Sequence, residues 1–227
     1  MPRGAVAGIA VLVAFSLVLT LPLRLVAGAV PGLSAREAEG SVWHGVLREA
    51  RIGPFAADTL EVHLRPLPLL AGKLELAIAT RSLEASWAFK GKVGPTGLAD
   101  LDGTLPLAGG LSGLPIDSAS FSEFGAVFDA NGCQRAGGML SISVAIPGST
   151  KLDLSGSAHC SGRDLVIPLR GAGGMERLDL RILPDGRWQG DLAVAGISGE
   201  VQAQLAKSGF AARPGSTDMV MRASGKF

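Results

Sequence analysis

Residues 177–194 read RLDLRILPDGRWQGDLAV, and this stretch predicts a β-hairpin. Its two halves, RLDLRI and RWQGDLAV, are joined by Leu183-Pro184-Asp185-Gly186, in which the proline and the Asp-Gly pair favour the dihedral angles of a tight turn. A hairpin pairs its strands antiparallel, so the stretch predicts antiparallel β structure.

Strict alternation of apolar and polar residues occurs in several stretches upstream of this hairpin. In TLEVHLR, residues 59–65, one face carries Leu60, Val62 and Leu64, and His63 falls on the opposite, solvated face. The alternation predicts half-buried antiparallel strands. It is repeated in KLELAIA (73–79, with Leu74, Leu76 and Ile78), LEASWAF (83–89, with Trp87) and LSISVAI (140–146, with Leu140, Ile142, Val144 and Ile146).

Helical signals are few beyond residue 30. SGEVQAQLAK has Ser198 as an N-cap, Val201 and Leu205 one turn apart, and Gly209 just after the last turn. PLPLLAG, residues 66–72, is short and proline-rich, which predicts a turn, and the glycine-rich stretch LDGTLPLAGGLSGLP, residues 101–115, predicts a connection. The expected fold is therefore mainly β: an N-terminal transmembrane helix followed by an antiparallel β-sheet domain with one short C-terminal helix.

Residues 1–29 predict a transmembrane anchor. The apolar run from Gly4 to Leu21 would span roughly 27 Å as a helix, close to the thickness of a bilayer core. Arg3 precedes the run, so the short N-terminal side should stay cytoplasmic and residues 30–227 should form an exported β-rich domain. A cleaved signal peptide is the alternative, because Ala27-Gly28-Ala29 has the small-x-small form of a cleavage site.

Two cysteines, Cys133 and Cys160, lie beside glycine-rich turn sequence in the exported part. An even number of cysteines in an oxidising compartment favours a disulfide between them. The alternative is a nucleophilic Cys160 activated by His159. Neighbours on a strand point to opposite faces, which disfavours that pairing.

The composition and motifs give no sign of catalysis. Lys and Arg number 21 against 20 Asp and Glu, so there is no basic footprint for nucleic acid. His44, His63 and His159 each lack a second ligand or base at a recognisable spacing. We therefore expect a protein that is not an enzyme, with no catalytic residue, no cofactor site and no metal site.

Residues 38–48, AEGSVWHGVLR, predict the opening strand of the β domain. Ser41, Trp43, Gly45 and Leu47 would share one face of that strand. On this interpretation Trp43 anchors a core edge or contacts a partner, and Gly45 lets a neighbouring chain approach closely.

The pattern G-x-V-W-x-G in this stretch, shortly after an anchor, resembles the type II secretion system protein N family (general secretion pathway protein N). The resemblance continues in the same order to the C-terminal part of the chain. A more distant similarity links the anchor-then-strands layout to the AsmA-like envelope proteins. The secretion resemblance rests on LEVHLRPLPLLAGKLEL (60–76), LDGTLPL (101–107), FDANGCQRAGG (128–138), LDLRILPDGRWQGDLAV (178–194) and LAKSGF (205–210).

The first resemblance implies a single-pass inner-membrane protein whose β domain lies in the periplasm. It implies an accessory or scaffold component of the machine that exports folded proteins across the outer membrane, with the inner-membrane platform or the outer-membrane secretin as partner. It implies no catalytic residues. The second resemblance implies, as the alternative, an envelope protein that binds or transfers lipid in a groove formed by an apolar sheet face.

Overall fold

The computed structural model describes residues 16, 20–24, 33–52, 55–70, 75–81, 88–94, 96–107, 111, 113–145, 151–197, 199–216 and 218–226. Of the predicted anchor, these ranges contain only residues 16 and 20–24, where the Thr20 N–H donates to the Ser16 carbonyl at 3.1 Å, the spacing of a helical hydrogen bond. No helix within these ranges is both long enough and apolar enough to cross a membrane. The predicted strand positions Leu74, Trp87 and Ile146 and the predicted cap Ser198 lie outside them.

Strands make up most of the described chain. Two short helices accompany them: α1, Pro66–Leu70, follows the fourth strand, and α2, Gly199–Lys207, follows the fourteenth. The strands are β1 Leu33–Ser34, β2 Glu37–Ser41, β3 His44–Ile52, β4 Phe55–Leu64, β5 Leu76–Arg81, β6 Ala88–Gly94, β7 Gly97–Pro106, β8 Ile116–Asp129, β9 Gly132–Val144, β10 Leu152–Ser157, β11 His159–Ser161, β12 Asp164–Gly171, β13 Glu176–Ile182, β14 Arg187–Val194, β15 Ala211–Ala212 and β16 Met219–Lys226.

The described strands form one antiparallel sheet built as a meander. From β3 to β10 each strand pairs with the next one in the sequence, and the order continues β12, β13, β14, β16, β15. Both β1 and β2 pair with β3, and both β10 and β11 pair with β12. Because sequence neighbours are also neighbours in the sheet, tight turns such as residues 42–43, 130–131 and 162–163 suffice to connect them.

The predicted alternation of burial is confirmed in β4 and β9, but in β5 Leu76, Ala77 and Ile78 are all half-buried. In β4, Leu60 and Val62 are 3 % and 4 % exposed, whereas Glu61 between them is exposed. In β9, Leu140 and Ile142 are buried in the same way. The apolar face of the sheet therefore forms the core, as the period of two requires.

The buried side chains form two clusters. A small cluster contains Leu23, Leu47, Ala50, Leu60 and Val62, near the start of the sheet. A larger cluster extends from β6 to β16 and includes Leu114, Trp188 and Leu205. The half-buried Ile78 packs against both clusters and joins them.

Helix α2 confirms the predicted C-terminal helix. Leu205 is 1 % exposed and Val201 packs against the large cluster, so the apolar stripe faces the sheet. Gly209 has φ +94° just beyond the helix, and the Phe210 N–H donates to the Leu205 carbonyl at 3.1 Å. This is the left-handed C-terminal glycine that the sequence predicts.

The turn between β13 and β14 is also confirmed. The Leu183 N–H donates to the Arg187 carbonyl at 2.8 Å, and the Gly186 N–H donates to the Leu183 carbonyl at 3.0 Å. The backbone N–H and the guanidinium of Arg187 both donate to the Asp185 carboxylate, and these bonds hold the pKa of that carboxyl below its ordinary value. The Asp185 side chain therefore stabilises the turn, in addition to the dihedral preferences of the turn residues.

Two sequence-based interpretations need correction. Residues 101–106, predicted as part of a connection, belong to β7 and pair with β6 and β8. Gly103, at φ +112°, lies within the strand opposite Phe89 and Phe121. Residues 66–70, predicted as a turn, form the short helix α1.

Candidate functional site

The turn of the first hairpin corrects the prediction of a single opening strand over residues 38–48. Strand β2 ends at Ser41 and β3 begins at His44, so Val42 and Trp43 form a two-residue turn between them. Val42 is 3 % exposed, and Trp43 is half-buried. The buried side chain at this turn is therefore that of Val42, and Trp43 keeps part of its surface accessible.

Residues 21–23 lie against this turn. The Val42 N–H donates to the Leu21 carbonyl at 3.0 Å, and Pro22 forms an isolated antiparallel bridge with Ser41. Leu23 is only 3 % exposed and belongs to the small cluster. Leu21 ends the apolar run of the predicted anchor, so the β domain is hydrogen-bonded directly to the residue at which that run ends.

Gly45 makes this contact sterically feasible. A Cβ at position 45 would overlap the Leu23 side chain and would lie 2.8 Å from the Ser41 carbonyl oxygen. The sequence predicts that a neighbouring chain approaches Gly45, and Leu23 lies at that position.

We expect Gly45→Val to loosen the contact and to destabilise the folded protein by about 1–3 kcal/mol, the usual cost of overpacking a core. The carbonyl of Ser41 is backbone and cannot move without distorting the hairpin. Thermal unfolding of the full-length protein in detergent, followed by circular dichroism, measures the effect. Gly137→Val in β9 is the matched control, since nothing lies within 4 Å of a Cβ at that position. Equal melting temperatures for the two variants would contradict the steric argument.

The structure brings together two histidines that sequence reasoning treated separately. The ring centroids of His44 and His63 are 5.0 Å apart in an edge-to-face arrangement. Nδ1 of His63 lies 3.3 Å from the Trp43 carbonyl oxygen, and His63 is half-buried, not on a solvated face as predicted. No group of three or more His, Cys, Asp or Glu among the described residues could hold a metal ion. Two imidazoles are too few for a structural zinc site, and the pair packs beside the Val42–Trp43 turn.

A third segment completes this end of the sheet. The Leu64 N–H donates to the Val42 carbonyl at 2.9 Å, and the chain then enters α1, where Leu67 is 74 % exposed. Leu21 is 37 % exposed at the same end. We call residues 21–23, 42–43 and 64–67 the hairpin end of the sheet. Backbone hydrogen bonds join its three segments, and the apolar side chains of Leu21 and Leu67 are accessible there.

The disulfide lies in another part of the sheet. Cys133 in β9 and Cys160 in β11 are joined with an S–S distance of 2.01 Å and a Cα–Cα distance of 5.6 Å. Cys133 is 6 % exposed, and His159 is exposed. Both sulfur atoms are held in the bond, so Cys160 offers no thiolate to act as a nucleophile. The role of the pair is structural.

Comparison with known protein families gives a match over most of the chain. A family model described as type II secretion system (T2SS), protein N matches residues 31–220. No curated protein and no solved structure matches the chain. The matched residues include the β2–β3 hairpin, the disulfide and α2.

Proposed function

Since the chain belongs to the type II secretion system protein N family, we propose that it is an accessory scaffold component of that system, anchored in the inner membrane by residues 1–29. Residues 30–227 form its periplasmic β-rich domain. This domain contacts another secretion component, either the inner-membrane platform or the outer-membrane secretin, and assists the export of folded proteins across the outer membrane. The family match over residues 31–220 is the observation that carries the proposal.

The burial of the apolar strand faces favours a scaffold over a lipid carrier. A carrier leaves such faces open as the walls of a groove, because its ligand gains about 0.8 kcal/mol for each buried methylene. Most residues of the two predicted faces are buried in this chain, although Leu64 is half-buried and Ile146 lies outside the described residues. The exposed fractions are 3 % for Leu60, 4 % for Val62, 6 % for Leu140, 4 % for Ile142 and 0 % for Val144.

A cleft on β14 and β16 does not suit an alkyl chain either. It has a volume of about 320 Å³, and Arg222 and Asp191 form an ion pair beside it, with Nε 3.1 Å from Oδ1. Because these walls are polar, an alkyl chain in the cleft would displace water without gaining apolar contacts. The lining residues are Gln189, Gly190, Asp191, Arg222, Ala223 and Ser224.

We expect deletion of the gene to reduce the amount of secreted enzymes in the culture medium and to raise the amount retained in the periplasm. A plasmid copy of the full chain should restore secretion. A cytoplasmic protein assayed in the medium controls for lysis. Normal secretion in the deletion strain would contradict the proposal, and normal secretion with an altered phospholipid content of the outer membrane would favour lipid handling instead.

A further inference from the structure

The hairpin end of the sheet is hydrogen-bonded to Leu21, the residue at which the apolar run of the predicted anchor ends. The Leu21 carbonyl accepts from the Val42 N–H at 3.0 Å, Pro22 bridges to Ser41, and Leu23 is buried beneath Gly45. A flexible linker would allow the domain to move away from the membrane. These contacts instead fix the Val42–Trp43 turn beside the last residue of the apolar run.

Helix α1 lies close to the Val42–Trp43 turn. The Leu64 N–H donates to the Val42 carbonyl at 2.9 Å, and Leu67 follows three residues later. Three residues reach about 10 Å at most, so Leu67 lies close to the level of the turn. Its side chain is 74 % exposed.

The side chains at the hairpin end match the chemistry of a bilayer interface. Leu21 and Leu67 are exposed apolar groups, and Trp43 is a half-buried residue of the type that concentrates at the headgroup level. Arg24 is also exposed and can reach lipid phosphates while its stem stays among apolar groups. The membrane is the partner expected at this surface, because the apolar run of the predicted anchor ends at Leu21, which belongs to the hairpin end.

We propose that the hairpin end lies on the periplasmic surface of the membrane, with Leu21, Trp43 and Leu67 in the lipid interface. This inference rests on the anchor in the proposed function. It adds a fixed orientation, in which the strands rise from the bilayer. Strand direction alternates along the sheet, so the turn between β12 and β13, which contains Met175, lies at the opposite strand ends from the Val42–Trp43 turn and eight strand pairings from β3. We expect this turn to lie off the membrane. The surface at that distal end is then left for the other secretion components.

Collision measurements on a spin label test the orientation. Because Cys133 and Cys160 are joined, a cysteine introduced by Leu67→Cys is the sole free thiol. Met175→Cys is the matched control, since Met175 is also an exposed apolar residue, at 52 %. Each full-length variant is labelled with a nitroxide and reconstituted into vesicles of phosphatidylethanolamine and phosphatidylglycerol. Collision with oxygen, which concentrates in lipid, is compared with collision with a water-soluble nickel chelate.

We expect the ratio of oxygen to nickel collisions to be several-fold larger at position 67 than at position 175. Equal ratios in protein that floats with the vesicles would overturn the orientation and leave the anchor intact. Failure of both variants to float, or their release by alkaline carbonate, would overturn the anchor and the orientation together. A label at position 67 that meets neither reagent would assign the surface to a second copy of the chain and would also overturn the proposal.

Discussion

Replacing Cys133 and Cys160 together by alanine should lower the melting temperature by about 7–14 °C. The disulfide closes a separation of 27 residues, and the chain-entropy model gives about 3.5 kcal/mol for a loop of this size. In a domain of roughly 200 residues, each kcal/mol shifts the melting temperature by about 2–4 °C. The effect arises mainly in the unfolded chain, whose freedom increases when the bond is absent.

The folded state should survive this change, because other bonds hold the same turns together. The Cys133 N–H donates to the Arg163 carbonyl at 2.9 Å, and the Arg163 guanidinium donates to the carbonyls of Asn131 at 3.1 Å and Ala130 at 3.3 Å. The double variant should therefore keep its β-sheet circular dichroism at low temperature. Wild-type protein treated with a reductant is the control and should melt with the double variant. If reduction leaves the melting temperature unchanged, the disulfide does not stabilise the protein.

The parts of the fold that the sequence predicts are those with local causes. Alternation at Leu60 and Val62 places both side chains in the core whatever the neighbouring strands are. The turn at Pro184, Asp185 and Gly186 is determined locally, by the dihedral preferences of these residues and by two hydrogen bonds from Arg187 to the Asp185 carboxylate. These features need no knowledge of the rest of the sheet.

Gly103 shows why a glycine-rich strand was missed. Glycines are usually read as turn signals, and so the stretch from residue 101 was interpreted as a connection. In β7, however, Gly103 has φ +112°, and a Cβ there would lie 2.8 Å from the Phe89 Cα. The glycine allows β6 to approach closely, beside a register shift between Leu101 and Gly103 in the pairing with β8, and only the strand partners reveal this.

The hairpin end could not be predicted from the sequence, for two reasons. Its turn consists of Val42 and Trp43, neither of which is a usual turn residue, so the change of direction carried no local signal. The contact between His44 and His63 depends on the register of β3 against β4, in which Gly45 faces Val62. A one-residue shift of that register would move His63 to the other face, and a single sequence does not specify the register.

Trp188→Ala should destabilise the protein by about 3–5 kcal/mol, the usual cost of removing a buried tryptophan side chain. Trp188 is 1 % exposed in the large cluster, and alanine would leave a cavity that the paired strands β13 and β16 cannot close. This is a large fraction of the stability of an ordinary domain, so the melting temperature should fall by about 6–20 °C. Secretion should decline only as far as the amount of protein in the envelope declines.

Trp43→Ala is the informative companion to this substitution, because it separates a core role for Trp43 from a contact role. The residue is half-buried in a turn whose buried side chain is that of Val42, so its removal should cost much less stability than the removal of Trp188. If the hairpin end lies on the membrane, the loss of Trp43 should weaken the contact between the β domain and the membrane. Secretion should then fall at an unchanged protein level. Both quantities are measured in the deletion strain, with each variant supplied on a plasmid and its envelope content quantified by immunoblot. A fall in melting temperature as large as that of Trp188→Ala would make Trp43 a core residue, and full secretion with a stable Trp43→Ala protein would show that its exposed surface is not needed for export.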